Sequence, residues 1–161
     1  AGQDVAQGEP GEVIARTPSQ MKGYLGNVKA TDEVLKDGWY YSGDIGVMDP
    51  DGYIEIVDRK KDMILVSGFN VAPNEIEDVI STLPDVVQVG VIGIEDEKTG
   101  EAPVAFVVRS DESLSEEAIV AACRDQLTNY KIPKQIRFVD DVPVTLSGKV
   151  LRRELREAAG I

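Results

Sequence analysis

Asp58-Arg59-Lys60-Lys61-Asp62-Met63-Ile64-Leu65-Val66-Ser67-Gly68-Phe69-Asn70-Val71-Ala72-Pro73-Asn74-Glu75-Ile76-Glu77 is the stretch on which the organisation of this chain turns. Its first five residues are all charged, which predicts an exposed inter-strand loop and a natural domain boundary. Met63 to Val66 is a short apolar strand that ends at Ser67-Gly68. Gly68 allows either a close backbone approach to a ligand or a hairpin loop with positive φ. Pro73 suits the first turn of a helix, and Asn74, Glu75 and Glu77 suit the positive end of its dipole. Ile76, Val79, Ile80 and Leu83 follow at helical spacing, and Pro84-Asp85 stops the helix.

Downstream, the pattern predicts a complete small α/β domain. Val86 to Ile94 is a nearly continuous β-branched run and predicts a buried strand. Ala105 to Val108 is a second strand, beyond the acidic turn from Glu95 to Glu101. Ser115 is the expected N-cap of a helix whose apolar positions are Ile119, Ala122, Cys123 and Leu127. Ile136 to Val139 is a third strand, and Val150 to Ala159 a terminal helix ended by Gly160. Upstream, the chain is β-rich and short of core. Glu12 to Thr17 is a strand and Ala30 to Leu35 a short helix. Ile45 to Met48 and Tyr53 to Val57 flank Asp49-Pro50-Asp51-Gly52, a hairpin signal. Isolated hairpins are marginal, so this first part does not close a core alone.

Composition narrows the chemistry. The chain has 161 residues and a net charge of −12, with 29 acids against 17 bases. Such a balance argues against a nucleic-acid binder held by a broad basic face. Any phosphate-bearing ligand must be held by a few local cations or backbone N–H groups. There is no histidine, which removes Ser-His-Asp and Cys-His catalysis and histidine-ligated metals. The single Cys123 allows no internal disulfide and no thiolate zinc site, and it reads as a small core residue. No apolar run approaches the ~18 residues that span a bilayer, and no signal peptide is visible. The cytoplasm is therefore the expected location. A start at Ala1 without an initiator Met suggests a fragment.

Phosphate-loop templates fail. Gly148-Lys149 resembles the end of a Walker loop, but position 143 is Pro and position 150 is Val. Gly90-Val91-Ile92-Gly93 lacks a third glycine and lies inside a strand pattern. Three other stretches carry more when taken together. Tyr41-Ser42-Gly43-Asp44 predicts a turn that presents one carboxylate at a strand edge, suited to accept the hydroxyl hydrogen bonds of a diol; taken alone, Asp44 reads as a turn former. The segment from Asp58 to Glu77 sets a cationic linker before a glycine-containing loop and a helix. Pro143-Val144-Thr145-Leu146-Ser147-Gly148-Lys149-Val150-Leu151-Arg152-Arg153 presents one lysine on a turn just before a helix, where it is a movable point charge for an anion or simply solvated.

This ordered set, Tyr-Ser-Gly-Asp, then Asp-Arg-Lys-Lys-Asp with Ser-Gly-Phe-Asn-Val and Pro-x-Glu-Ile-Glu, then Pro-x-x-x-x-Gly-Lys-x-x-Arg-Arg, resembles the carboxy-terminal part of the adenylate-forming superfamily. The wording around Ser67 and the Leu-Arg-Arg-Glu-Leu-Arg after the lysine are most similar to bacterial long-chain fatty acyl-CoA synthetases. The resemblance implies an α/β (α+β) fold: a small mobile lid domain at 59–161, with a central sheet flanked by helices and a hinge at 59–62. Residues 1–58 would be the β-rich, incomplete end of a large AMP-binding domain.

It also implies the reaction. A fatty acid is activated with ATP to an acyl-adenylate, and CoA then displaces AMP, the lid rotating between the two steps. ATP and CoA are substrates, and Mg2+ serves the full-length enzyme through a ligand outside this chain. Asp44 would hold the ATP ribose, with Arg59 at the ribose or phosphate. Lys61 would be the hinge residue. Lys149 would be the catalytic lysine that bridges the fatty carboxylate and ATP. Ser67, Gly68, Phe69 and Asn70 would line the pantetheine tunnel. The Lys149 motif also resembles a site at which related synthetases are switched off by lysine acetylation. The partners implied are the missing amino-terminal domain, fatty acid, ATP and CoA, with no nucleic acid and no transmembrane segment; peripheral membrane contact of the full-length enzyme stays open. The phosphate loop, adenine motif and acyl pocket of the superfamily are absent, so the chain alone is expected to be inactive. The alternatives are an aryl or medium-chain acyl-CoA ligase, a peptide-synthetase adenylation domain, or a non-catalytic interaction module.

Overall fold

The computed structural model describes residues 3–161. They form two compact units that part between Lys61 and Asp62. Arg59 and Lys60 thus belong to the first unit. Arg59 stands opposite Asp44 in the sheet register, and the Lys60 N–H donates to the Gly43 carbonyl at 2.8 Å.

The first unit is a four-stranded antiparallel sheet built from β1 (Gly11–Ala15), β2 (Leu35–Lys36), β3 (Trp39–Met48) and β4 (Ile54–Arg59), with one helix, α1 (Val28–Val34). Tyr40 pairs with both Ala15 and Leu35, and Ile45 with both Glu12 and Asp58. β3 is therefore central, with β1 along one edge and β2 and β4 sharing the other. The β3–β4 hairpin forms as its turn residues require. Asp49 accepts from the N–H groups of Asp51 and Tyr53 at 2.9 and 2.8 Å, and Gly52 closes the turn at φ +89°. Of the described residues in this unit only Gly46 and Asp58 are buried, so it buries no apolar side chain.

Two expectations are corrected here. Ser42-Gly43-Asp44 is not a turn between strands but a bulge inside the continuous strand β3. Glu12 stands opposite Ile45 and Ile14 opposite Tyr41, which leaves Val13 facing three residues. The Ser42 hydroxyl stitches the bulge, donating to the Val13 carbonyl at 2.6 Å and accepting from the Asp44 N–H at 3.0 Å. Nor is the whole charged run exposed. Asp58 is 5% accessible, and its carboxylate accepts the Arg59 N–H at 2.7 Å.

The second unit contains β5 (Ile64–Val66), β6 (Phe69–Val71), α2 (Pro73–Ser81), β7 (Val86–Asp96), β8 (Gly100–Arg109), α3 (Glu116–Gln126), β9 (Gln135–Phe138) and α4 (Arg152–Ala158). Its sheet runs β6-β5-β8-β7, antiparallel throughout, with β9 added parallel to β8. Alternation along β7 and β8 divides the core. Val91, Ala105 and Val107 face one layer with Ile76, Val79, Ile80, Ile119 and Cys123 of α2 and α3. Ile92, Val104 and Phe106 face the other, with Val142 and Leu155 of α4. The caps follow the sequence: Pro73 lies at the start of α2, and the Ser115 hydroxyl accepts from the Ala118 N–H at 3.3 Å.

The terminal helix starts at Arg152 rather than Val150. Val150 is held extended in a bridge with Val144, which closes a small hairpin around 145–149. Gly90 makes that hairpin possible. A Cβ there would lie 2.9 Å from Leu155, 3.0 Å from Val142 and 3.1 Å from Val150.

Candidate functional site

The sequence-derived residues fall into three groups. Asp44 and Arg59 meet in the first unit. The β3 bulge turns Asp44 toward the edge that β4 occupies, and its carboxylate takes the Arg59 Nε at 2.8 Å. Both side chains remain partly open to solvent. Asp44 retains acceptor capacity beyond that bond, and a carboxylate so oriented can receive hydroxyl groups. Lys61 is exposed and is the last residue before the division between the units. No described carboxylate pairs with it.

Ser67 to Asn70 form the tip and return strand of the β5–β6 hairpin. Ser67 and Gly68 have φ of +50° and +86°, the pattern of a type I′ turn, so the positive-φ alternative for Gly68 holds. Phe69 is 55% exposed and stacks on Tyr130, with centroids 4.7 Å apart and planes at 17°. The tip is therefore a firm turn that carries an aromatic surface. The sequence pattern missed β6, which has only three residues, and it missed the contribution of Tyr130.

Lys149 lies in the third group. Its own carbonyl accepts the Thr145 N–H at 2.8 Å, and its N–H donates to the Thr145 hydroxyl at 3.0 Å. Gly148 turns the chain at φ +82° and donates to the Thr145 carbonyl at 2.9 Å. The backbone of the tip is thus bonded to itself, and the Lys149 side chain has no ion-pair partner among the described residues.

Beneath this loop lies a cluster that composition and spacing do not reveal. The Arg152 Nη2 reaches both carboxylate oxygens of Glu77 at 3.0 and 2.9 Å and the Asn74 side-chain oxygen at 2.6 Å. Its Nε donates to the Val91 carbonyl at 3.2 Å, while Glu77 accepts the Val91 N–H at 2.8 Å. The sequence held both halves, Glu77 at the end of Pro-x-Glu-Ile-Glu and Arg152-Arg153 after the lysine, without a sign that they meet.

Other perturbed groups are structural. Burial pushes the Cys123 thiol up to about 11, which leaves it un-ionised and a poor nucleophile. Hydrogen bonds from Lys134 and then Thr99 hold the Asp96 carboxyl well below its ordinary range. Glu117 is lowered by its own backbone N–H and by Ser115, at the start of α3. Among the described residues no group of three or more Asp, Glu, Cys or His could hold a metal ion. These residues therefore do not fit a resident magnesium site. No helix is long and apolar enough to cross a membrane.

The comparisons with known proteins fall on this geometry. Residues 75–149, which run from the first turn of α2 to the lysine, match the AMP-binding enzyme C-terminal domain. Over those residues the chain is similar to the C-terminal domain of AMP-binding enzymes. It is 54% identical over 156 residues to the long-chain-fatty-acid–CoA ligase of Escherichia coli O157:H7, covering 97% of this chain and 28% of the relative. The crystal structure of ATP-bound MatB from Rhodopseudomonas palustris superposes with a TM-score of 0.87 at 36% identity, over 98% of this chain and 32% of that one. The o-succinylbenzoate CoA synthetase of Bacillus subtilis, in complex with an acyl-adenylate intermediate, gives 0.86 at 34% identity, over 96% and 32%. The chain thus spans roughly a third or less of the length of these proteins.

Proposed function

We propose that this chain supplies the rotating C-terminal part of an AMP-forming ligase that joins a long-chain fatty acid to CoA. In the first step the fatty carboxylate attacks the α-phosphorus of ATP, the bond to pyrophosphate breaks, and acyl-adenylate forms. In the second the CoA thiolate attacks the acyl carbon and AMP leaves. The observation that carries the reading is Lys149, a cation with no ion-pair partner among the described residues, on a self-bonded turn in a chain whose net charge is −12.

Two anions must approach one another in the first step. A lysine between them offsets their repulsion and stabilises the charge that gathers on the transferring oxygens. An ion-paired lysine would have to give up its partner first, which costs binding energy that Lys149 keeps. Asp44 would receive the ribose hydroxyls, with Arg59 holding its carboxylate in place and remaining available to phosphate. Lys61 would be the hinge. An exposed residue can change φ and ψ without losing buried contacts. Ser67, Gly68, Phe69 and Asn70 would line the passage for the pantetheine arm, where a turn of small residues admits a narrow chain and the Phe69 ring gives it an apolar wall. The phosphates, the acyl chain and any magnesium would be held by a larger domain, and a cytoplasmic location fits these water-soluble co-substrates.

The test is the pair of half-reactions in the full-length ligase. Lys149→Ala should lower fatty-acid-dependent ATP–pyrophosphate exchange by at least about 100-fold, while thioester formation from preformed acyl-adenylate stays within a few-fold. Equal loss of both steps would count against the role given to Lys149. The 161-residue chain alone should show no exchange.

A further inference from the structure

We propose that Arg152 and Glu77 are a positioning pair for Lys149, fixing the root of the lysine-bearing hairpin on β7. The inference rests on the role given to Lys149 above and deepens it.

Lysine is a flexible point charge, so what the protein can fix is where its backbone stands. The tip of the loop is held by its own hydrogen bonds; the root is held by β7. β7 is an edge strand, and the Val91 N–H and C=O that face away from β8 are both occupied. Glu77 accepts the N–H and Arg152 donates to the carbonyl. One residue earlier, Gly90 has no side chain, so Val142 and Val150, the two legs of the hairpin, close onto it together with Leu155. Two residues before that, the Gln88 side chain accepts the Val142 N–H at 3.2 Å. Gln88, Gly90 and Val91 thus seat both legs, and Arg152 bolts the descending one.

The Arg152 and Glu77 side chains are only 10% and 13% accessible. Two charges so far from water add little net stability over apolar residues of the same size. What such a pair adds is direction: Nη2 held between both Glu77 oxygens and the Asn74 oxygen, with Nε on the Val91 carbonyl, admits few alternative placements of residue 152, and Lys149 lies three residues away. A displacement of about 1 Å at a reacting charge costs on the order of 100-fold in rate. Arg152 touches no substrate in this account and acts through Lys149.

A double-mutant cycle in the full-length ligase tests this. Arg152→Gln should lower kcat of the exchange reaction by about 100-fold with KM for ATP within a few-fold, and leave thioester formation from acyl-adenylate nearly intact. Arg152→Lys, which keeps the charge and loses the simultaneous hold on Glu77 and the Val91 carbonyl, should recover part of that rate. In the Lys149→Ala background, Arg152→Gln should cost nothing further. Should Arg152→Gln melt below the assay temperature, the same cycle is run with Arg152→Lys and an expected loss of about 10-fold. An additional loss in the Lys149→Ala background, or equal loss in both half-reactions, overturns the positioning role. If Lys149→Ala itself leaves exchange intact, the functional reading fails, an outcome distinct from an additive cycle.

Discussion

The two units were built by different rules. From Asp62 onward the chain surrounds its sheet with helices, and Ile64, Ile76, Ile80, Ile92 and Ile119 are each essentially inaccessible. Up to Lys61 a sheet of similar strand count leaves Tyr53, Ile54 and Ile56 exposed and has an open depression of about 490 Å³ between Val5, Val13, Met48 and Ile54. The difference teaches what each is for. A sheet with alternating apolar residues and nothing packed on them is a surface awaiting its other layer, because a stable domain needs at least two. The second unit already has its layers, which fits the rotating role proposed for it above.

The sharpest way to break this comparison is to cut the chain between Lys61 and Asp62. The segment from Asp62 to Ile161 should fold alone, with a cooperative urea transition and dispersed amide resonances. The segment up to Lys61 should show neither. A cooperative transition in the first piece would mean that its exposed sheet is self-sufficient, and the contrast would be lost.

A matched pair of substitutions sharpens the same point at smaller scale. Ile80→Ala removes a side chain at 0% accessibility between α2 and the sheet, and should cost about 2–5 kcal/mol in chemical denaturation. Ile56→Ala acts at 55% accessibility in β4, and in this chain should fall within about 0.5 kcal/mol. Comparable losses would show that β4 is covered after all.

How much of this was legible in the sequence follows from the range of the interactions. Pro73, Ser115 and Asp49-Pro50-Asp51-Gly52 act on neighbours within a few residues, so the helix starts and the hairpin could be read directly. The long β7–β8 pair was legible from its β-branched runs. Ser42-Gly43-Asp44 was not, because its composition favours a turn while pairing along both edges of β3 keeps it in a strand. Asp58 was misjudged for the same reason: a charge run signals solvent, but the place in the sheet decides burial. The site divides likewise. Lys149, Asp44 and Ser67 to Asn70 sit in local motifs, while Glu77 and Arg152 lie 75 residues apart and are joined only by the completed fold.

The smallest effect concerns the turn between the two long strands of the second unit, and it depends on pH. Asp96 accepts the N–H groups of Lys98 and Thr99 and the Thr99 hydroxyl, and pairs with Lys134 just before β9. Its carboxyl sits well below the ordinary value of 3.8 in the folded state, with the Lys134 bond as the first cause. A carboxyl that binds its proton less readily when folded stabilises the fold above its unfolded pKa. That contribution fades as pH drops below about 3.8 toward the lower folded value. Asp96→Asn should therefore lower Tm at pH 7, and the gap to the unmodified chain should narrow steadily below pH 4. A gap that stays constant from pH 7 to pH 3 would place the effect of Asp96 in the shape of its turn rather than in its charge.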